Sequence, residues 1–537
     1  MTVERSADRS SAGSGPPGAA PSEPLDLARL TPAALGDGVF RGRSVTVLGF
    51  ARSGVALARF LTDAGASVTV YDARHAGQLE RAIGALDGRA VRLLLGPDVD
   101  PADALAGASL VATSPSINPD YPTTEPRLRA VLTELVARRA GGDRSAPALV
   151  SEVDLFLQLC PAPTIGITGT KGKTTTSALT HALLATDPAH PAVLGGNIGV
   201  PLVERLPELT SEHRVVLELS ELQLPTLSRG TTVAAYTNVT ADHLDRHGSV
   251  EAYRRAKQRL AELVDPAGAL VLNLDDTVVA DYRSASAARV VPYRRGELPP
   301  GGLGVAHAWI VTDGLERLAQ AGGGVAPAGR ILPVGELGVP GAHNVSNALA
   351  AVAVALLFGI EPASIRRAAA AFTGVEHRLE RVAEIDGVRF VNDSQGTQPD
   401  AVIAALRAFD GPIVLIAGGR DKGVDLTGLA SEVARRATAA VLIGESGPEL
   451  ERLFRDAGLA TTARADSLEA AVATADGLAR QSLDDRVARA ARGGGDAGLT
   501  ATVLLSPAAA SFDMFEDYEA RGRAFKAAVA HLAERRG

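Results

Sequence analysis

The chain has 537 residues and a formal net charge of −8, an acidic balance that argues against general nucleic-acid or anionic-membrane binding. Its length suits about two to four domains. Its single cysteine, Cys160, excludes an internal disulfide framework and fits a reducing cytoplasm. The longest apolar run, residues 348–360, falls short of the roughly 18 residues that a membrane-spanning helix needs.

Residues 1–40 open with a stretch rich in Ser, Gly, Pro and Ala, without the apolar segment of a signal peptide. A disordered tail is expected there. From 41 to 150 the pattern is α/β. "SVTVLG" (44–49) reads as a strand, "GVALARFLTDAG" as a helix and "SVTVYD" (67–72) as a second strand. The turn "GFARSG" (49–54), with Asp72 ending the next strand, approaches a dinucleotide-binding fingerprint. Ala51 at the middle glycine position disfavours NAD; a diphosphate or uridine ligand is the stronger reading only once the rest of the chain is considered, and a purely structural domain is the bland one. Arg74 stands where it could pair with a phosphate. The polar stretch 137–148 reads as a linker closing this block.

A second block runs from 151 to 372. "PTIGI" (163–167) leads into "TGTKGKTTT" (168–176) and a helix-compatible run, giving strand, glycine turn and helix. Backbone N–H groups and the helix dipole at such a turn favour a phosphate chain. Lys173 adds a compact positive charge, and the Thr174 hydroxyl suits Mg²⁺. The spacing is shorter than the common G-x-x-x-x-G-K-[ST] loop. Glu218 ends the apolar strand "VVLEL" (215–219), well placed to hold Mg²⁺ beside a phosphate loop. "NVTADHLDRHG" (238–248) supplies Asp242, His243 and Asp245 after another strand. Only five of the 54 basic residues are lysine: Lys171, Lys173, Lys257, Lys422 and Lys526. Two of them sit in the phosphate loop. A third, Lys257, lies on a helix among arginines, which suggests chemistry that a guanidinium cannot perform, although scatter would give the same count. The Gly/Pro-rich region 295–342 reads as irregular structure or short antiparallel strands.

The third block, 373–537, alternates strands and helices. "NDSQGTQP" (392–399), "AGGRDKG" (417–423) and "SPAAASFDMFEDYEARG" (506–522) each follow an apolar strand, at the edge where α/β ligands bind. Lys422 and Ser511 are candidates for a small carboxylate substrate. Asp513, Glu516 and Asp517 read as an acidic helix start, and 489–498 as a mobile surface loop.

Taken together, "GTKGKTT", "LGGNIG" (194–199), "LELSELQL" (217–224), "NDSQGTQP" and "SPAAASFDMF" resemble the Mur ligases, the ATP-dependent amide ligases of peptidoglycan precursor synthesis. The resemblance runs from about residue 41 to 533 and explains the short phosphate loop. It implies an α/β chain of three domains: a Rossmann-like N-terminal domain (41–150), a central P-loop-type ATPase domain (151–372) and a Rossmann-like C-terminal domain (373–537). It implies a cytoplasmic, monomeric, ADP-forming acid–amino-acid ligase that adds D-glutamate to UDP-N-acetylmuramoyl-L-alanine through an acyl phosphate. It also carries roles residue by residue. Arg52, Ser53, Asp72, Arg74, Ser114 and Pro115 match positions that hold the uridine diphosphate, and Asn197 a contact to the sugar-peptide part. Gly169, Thr170, Lys171, Gly172, Lys173, Thr174 and Thr175 hold the ATP phosphates, with Asn344, Asn347, Arg378 and Asp393 as further ATP contacts. Thr174, Glu218 and His243 surround two Mg²⁺ ions, and Lys257 matches a lysine carried as a carbamate. Lys173, His243, Lys257 and Arg378 form the catalytic set. Thr397, Lys422, Ser511 and Tyr518 surround the incoming glutamate. The chain departs from the family pattern at Gln395 (a lysine in the family), Gln398, Glu221 and Leu222. Other readings remain: a relative adding L-glutamate or L-alanine, a folate polyglutamate synthase (disfavoured by the uridine-type domain), an inactive nucleotide-binding regulator, or an oxidoreductase.

Overall fold

In the computed structural model, which describes residues 23–199, 201–240, 242, 244–420, 425–493 and 500–536, the chain divides into two units. One ends at Phe372 and the other begins at Thr373.

The first unit contains two main sheets. The smaller is wholly parallel, with strands in the order Val91–Leu95, Ser67–Asp72, Ser44–Leu48, Leu110–Thr113, Ala148–Ser151. Its central strands are buried almost without interruption, as expected where helices cover both faces. The helix Arg52–Asp63 buries Leu57, Phe60 and Leu61 against it. Two expectations change here. From Leu25 onward the supposed tail is packed: the Leu25 N–H donates to the Ser109 carbonyl at 2.7 Å, and Leu25, Leu30, Ala34 and Phe40 are buried in the core. These anchors are too widely spaced to show a helical or strand period. The polar stretch 137–148 is not a linker either. It joins the helix Pro126–Ala140 to the strand Ala148–Ser151 of the same sheet.

The larger sheet has nine strands. Seven run in the order Arg289–Tyr293, Ala269–Asn273, Val233–Tyr236, Thr164–Thr168, Arg214–Glu218, Ala192–Gly196, with Leu303–Ala306 added beyond Arg289–Tyr293, and all these pairs are parallel. Trp309–Thr312 and Gly329–Pro333 extend that edge as antiparallel strands, one of the two forms expected for the Gly/Pro-rich region. The long apolar run belongs to the helix Ala342–Leu357, buried at every residue from Asn347 onward. It shares its core with Leu179 and Leu183 of the helix that follows the phosphate loop.

The second unit has one six-stranded sheet, in the order Glu380–Ile385, Val388–Asn392, Ala501–Leu505, Ile413–Gly418, Ala439–Ile443, Thr462–Arg464. Only its first pair is antiparallel. The helix Leu468–Gly493 takes in residues 489–493, which were expected to be loop. Alanine and arginine are good helix formers and carry the helix on. Residues 494–499 lie outside the described residues. Among the described residues no helix is long and apolar enough to cross a membrane.

Candidate active site

The phosphate loop follows Thr164–Thr168, the strand on which the larger sheet changes direction: Arg214–Glu218 lies on one side of it and Val233–Tyr236 on the other. Such a switch point opens a crevice at the carboxyl edge. Two glycines let the loop close. Gly169 has φ +148° and Gly172 φ +85°. A Cβ on Gly169 would come 2.0 Å from Thr237 Oγ1, and one on Gly172 2.4 Å from Asn347 Oδ1. The next strand's end stitches the loop in place. Thr170 N–H donates to the Asn238 carbonyl at 2.7 Å, Lys171 N–H to Asn238 Oδ1 at 3.0 Å, and Thr237 Oγ1 to the Lys171 carbonyl at 2.7 Å. Gly172 begins the helix Lys173–Leu184 without a side-chain cap. The first-turn N–H groups, Thr174 and Thr175 among them, therefore face the crevice as anion donors. Lys173 folds its ammonium over the loop, donating to the carbonyls of Gly169 (3.0 Å) and Thr170 (2.8 Å).

Four expected residues gather around this loop. Register pairs Glu218 with Ile167, so its carboxylate ends beside the turn. It is 2% exposed; one oxygen accepts from Asn197 Nδ2 at 2.8 Å, and the other, Oε2, is buried with no hydrogen-bond partner among the described residues. A buried carboxylate oxygen left without a proton donor suits a divalent cation, and Thr174 and Glu218 offer oxygen atoms of the hard kind that Mg²⁺ prefers. Lys257, on the helix Val250–Leu263, is fully buried, and its Nζ donates to Thr168 Oγ1 at 3.2 Å. Burial, reinforced by the nearby Lys173 charge, pulls its amine down to about 7. Asn344 and Asn347 lie in the first two turns of the helix Ala342–Leu357 and are joined by a 3.1 Å bond.

Tyr253 and Asn238 escaped the sequence reading. Tyr253 is buried, meets Thr170 Oγ1 at 3.0 Å and carries the Lys257 ammonium 5.6 Å from its ring centroid. Its place four residues before Lys257, on one helix face, was the available signal. Asn238, just past a parallel strand, offered the carboxyl-edge signal. Asp242 is half-buried. His243 lies outside the described residues.

At the smaller sheet, Gly49 turns with φ +86° between the first strand and the helix that Arg52 and Ser53 begin. A Cβ on Gly54 would strike the Gly49 carbonyl oxygen at 1.8 Å, so helix and turn pack as a phosphate-binding βα unit requires. Asp72 accepts from Phe50 N–H (2.8 Å), Arg74 N–H (2.9 Å) and the Arg74 guanidinium through both oxygens (2.9 and 2.8 Å). Burial works to raise its carboxyl, but Arg74 and the two N–H groups outweigh this and hold it below the usual range. Ser114 is buried and Pro115 half-buried at the end of the neighbouring strand. A cleft of about 360 Å³ opens at this edge.

In the second unit the loops after three adjacent strands meet at one edge. Asp393 N–H donates to the Leu505 carbonyl, Ala508 N–H to Gly396 and Arg420 N–H to Ala510. Asp393 is buried; it accepts from Ser506 Oγ at 2.6 Å and from Leu379 N–H at 3.1 Å, which sets it beside Arg378. Burial pushes its carboxyl up to about 6. Arg521, also missed by the sequence reading, is buried and clamps two of the loops: it donates to Ser394 Oγ and O at 3.0 Å each and to the Ala509 carbonyl at 3.3 Å. The Tyr518 carbonyl accepts from Ser394 Oγ (2.7 Å), Ser511 is buried, and Thr397 follows on the same loop as Asp393. Asp517 caps the helix Tyr518–Glu534, the acidic start that was expected. Lys422 lies outside the described residues.

Two family models match the chain: the Mur ligase middle domain over residues 167–355 and the Mur ligase glutamate ligase domain over 377–493. A curated UDP-N-acetylmuramoylalanine–D-glutamate ligase of Symbiobacterium thermophilum is 37% identical, over 92% of this chain and 100% of its own length. The chain belongs to the Mur ligase family. Ligases of the same name from Roseiflexus sp. (37% identical, 90% of this chain and 97% of theirs) and Geobacter metallireducens (38%, 91% and 97%) are also similar to this Mur ligase. A solved UDP-N-acetylmuramate–alanine ligase of Thermotoga maritima aligns at 18% identity over 91% of this chain and 99% of its own, with a TM-score of 0.48.

Proposed function

We propose that this Mur ligase joins D-glutamate to UDP-N-acetylmuramoyl-L-alanine at the expense of ATP, as a cytoplasmic monomer. The observation that carries the reading is its similarity to ligases of that name along nearly their whole length. We divide the work among residues 41–150 for the uridine nucleotide, 151–372 for ATP and 373–537 for the amino acid. Arg52, Ser53, Asp72, Arg74, Ser114, Pro115 and Asn197 serve the precursor, and Thr397, Lys422, Ser511 and Tyr518 the glutamate.

The precursor's alanyl carboxylate attacks the γ-phosphorus of ATP, ADP leaves, and an acyl phosphate forms. The glutamate amine then attacks the acyl carbon, inorganic phosphate departs, and the amine proton is released. Both partners of the first step are anions, so the site must offset their repulsion. The N–H groups of 169–175 and the Lys173 ammonium receive the phosphates, and Arg378 adds a guanidinium. Two Mg²⁺ ions, held by Thr174, Glu218, His243 and a carbamylated Lys257, would supply charge neutralisation at the transferring oxygens. Asn344, Asn347 and Asp393 orient the nucleotide.

Gln395 in place of the family lysine favours testing the amino acid directly. Phosphate release is measured with the uridine precursor, ATP and, in turn, D-glutamate, L-glutamate, L-alanine and diaminopimelate. Release confined to D-glutamate is expected. Release with another member of the panel, or with none, refutes the assignment.

A further inference from the structure

The cleft at the smaller sheet is not built by that sheet alone. Gly49, Asp72, Ile117 and Glu125 line it from one side, and Leu222 and Arg246, from loops of the larger sheet, close the other. Its two acids are engaged by protein donors. Asp72 is held by Arg74, and Glu125 accepts from Leu128 N–H (2.8 Å) and Arg127 Nε (3.1 Å). Among the described residues that line the cleft, Arg246 is the one cation.

Its position is fixed from two directions. Glu221, buried three residues beyond Glu218, approaches the Arg246 guanidinium to 3.6 Å. The next residue, His247, is wedged edge-on between Tyr121 (centroids 6.3 Å apart) and Tyr253 (5.4 Å), both buried. Tyr121 in turn donates to the Leu222 carbonyl at 3.1 Å. The four-residue helix Leu244–His247 is too short to hold a geometry by itself, and these contacts hold it. Arg246 therefore faces the Gly49 turn across the cleft with a side chain 35% exposed, open enough to meet a ligand.

Resting on the function proposed above, we infer that Arg246 binds the diphosphate of the nucleotide precursor, from the wall opposite the Gly49 turn. A guanidinium is matched to phosphate oxygens by its planar fork, and a partly desolvated pair of this kind is among the stronger protein–ligand hydrogen bonds.

The test is calorimetric titration of the full chain with UDP and with uridine, alongside steady-state kinetics. Arg246→Ala weakens UDP binding roughly 10- to 100-fold while leaving uridine within about threefold, and Arg246→Lys falls between wild type and Arg246→Ala. The KM for the precursor rises by a similar factor, and kcat and the KM for ATP hold within about threefold. A melting curve and ATP binding equal to wild type establish that the variant is folded; should Arg246→Ala not fold, Arg246→Lys and Arg246→Gln carry the same comparison. UDP affinity unchanged on losing the guanidinium, or uridine weakened as much as UDP, overturns the inference while leaving the proposed function standing. A wild-type chain that binds no UDP overturns both.

Discussion

Lys257 offers the sharpest test of the chemistry, because its surroundings set both the reactivity and the stability of its amine. The side chain is fully buried, and desolvation together with Lys173 brings the amine down from 10.5 to about 7. At pH 7.5 the neutral fraction then rises from about one part in a thousand to about three in four. Only the neutral amine attacks carbon dioxide, forming an N–C bond and releasing a proton to leave an anionic carbamate. Arginine cannot follow that path. Lys257→Ala and Lys257→Arg are therefore both expected to lose at least about 10²-fold in kcat. A small carboxylic acid restores part of the turnover of Lys257→Ala, where it can enter the space, and none of that of Lys257→Arg. Wild-type activity falls in carbon-dioxide-free buffer and returns with bicarbonate, and ¹³C-labelled bicarbonate gives a carbamate resonance that Lys257→Met lacks. Stability moves the other way. Below about pH 7 the folded and unfolded chains both carry the proton, and the cost of burying the charge is fully present. Between about 7 and 10.5 the unfolded chain holds a proton the folded one has shed, so stability rises with pH. In carbon-dioxide-free buffer Lys257→Met should unfold later than wild type by something on the order of 5 kcal/mol at pH 6, with the advantage fading towards pH 10.5. Normal turnover by Lys257→Arg would refute the carbamate role, and a Lys257→Met chain no more stable than wild type at pH 6 would refute the burial argument.

Other perturbations probe the remaining parts separately. Gly172→Ala strains a residue at φ +85° and drives a Cβ to 2.4 Å from Asn347 Oδ1; ATP affinity, read by titration, should fall, with a stability loss of about 1–2 kcal/mol in urea unfolding. Glu218→Gln keeps the size of the side chain and the possibility of a bond to Asn197 but removes the charge on the unpartnered oxygen; the Mg²⁺ concentration for half-maximal activity should rise, and kcat should drop about 10²-fold or more. Asp393, raised to about 6 by burial, keeps its proton in the folded chain after the unfolded chain has lost it, so its contribution to stability falls as pH climbs from about 4 to 6. Asp393→Asn, which can still accept from Leu379 N–H and donate to Ser506 Oγ, should gain up to about 3 kcal/mol over wild type in unfolding at pH 7.5 and nothing at pH 4.

The phosphate loop, Glu218 and the alternation of strands and helices were legible because local rules fix them: a strand, a glycine turn and a helix are adjacent in the chain. Lys257 was legible only as an anomaly of composition. Its significance, an amine buried between Thr168 and Tyr253, depends on a helix that begins 82 residues after the strand it packs beside. The pairing of Asn197 with Glu218 lies between these cases, since register puts Gly196 opposite Glu218 and so brings Asn197 to the carboxylate. What escaped entirely was the joining of separate segments. Residues 25–40 hold on through isolated apolar anchors, and Arg521 reaches back to Ser394, in a loop more than a hundred residues earlier. Arg246 is the clearest instance. Along the chain it is one arginine among many beside a catalytic-looking histidine, and nothing in its spacing points to Gly49. Its ion pair with Glu221 stays within loops of the larger sheet, but the cleft it lines exists only where the loops after Arg214–Glu218 and Val233–Tyr236 meet the smaller sheet, so the role inferred for it follows from the packing of two sheets and from no local pattern.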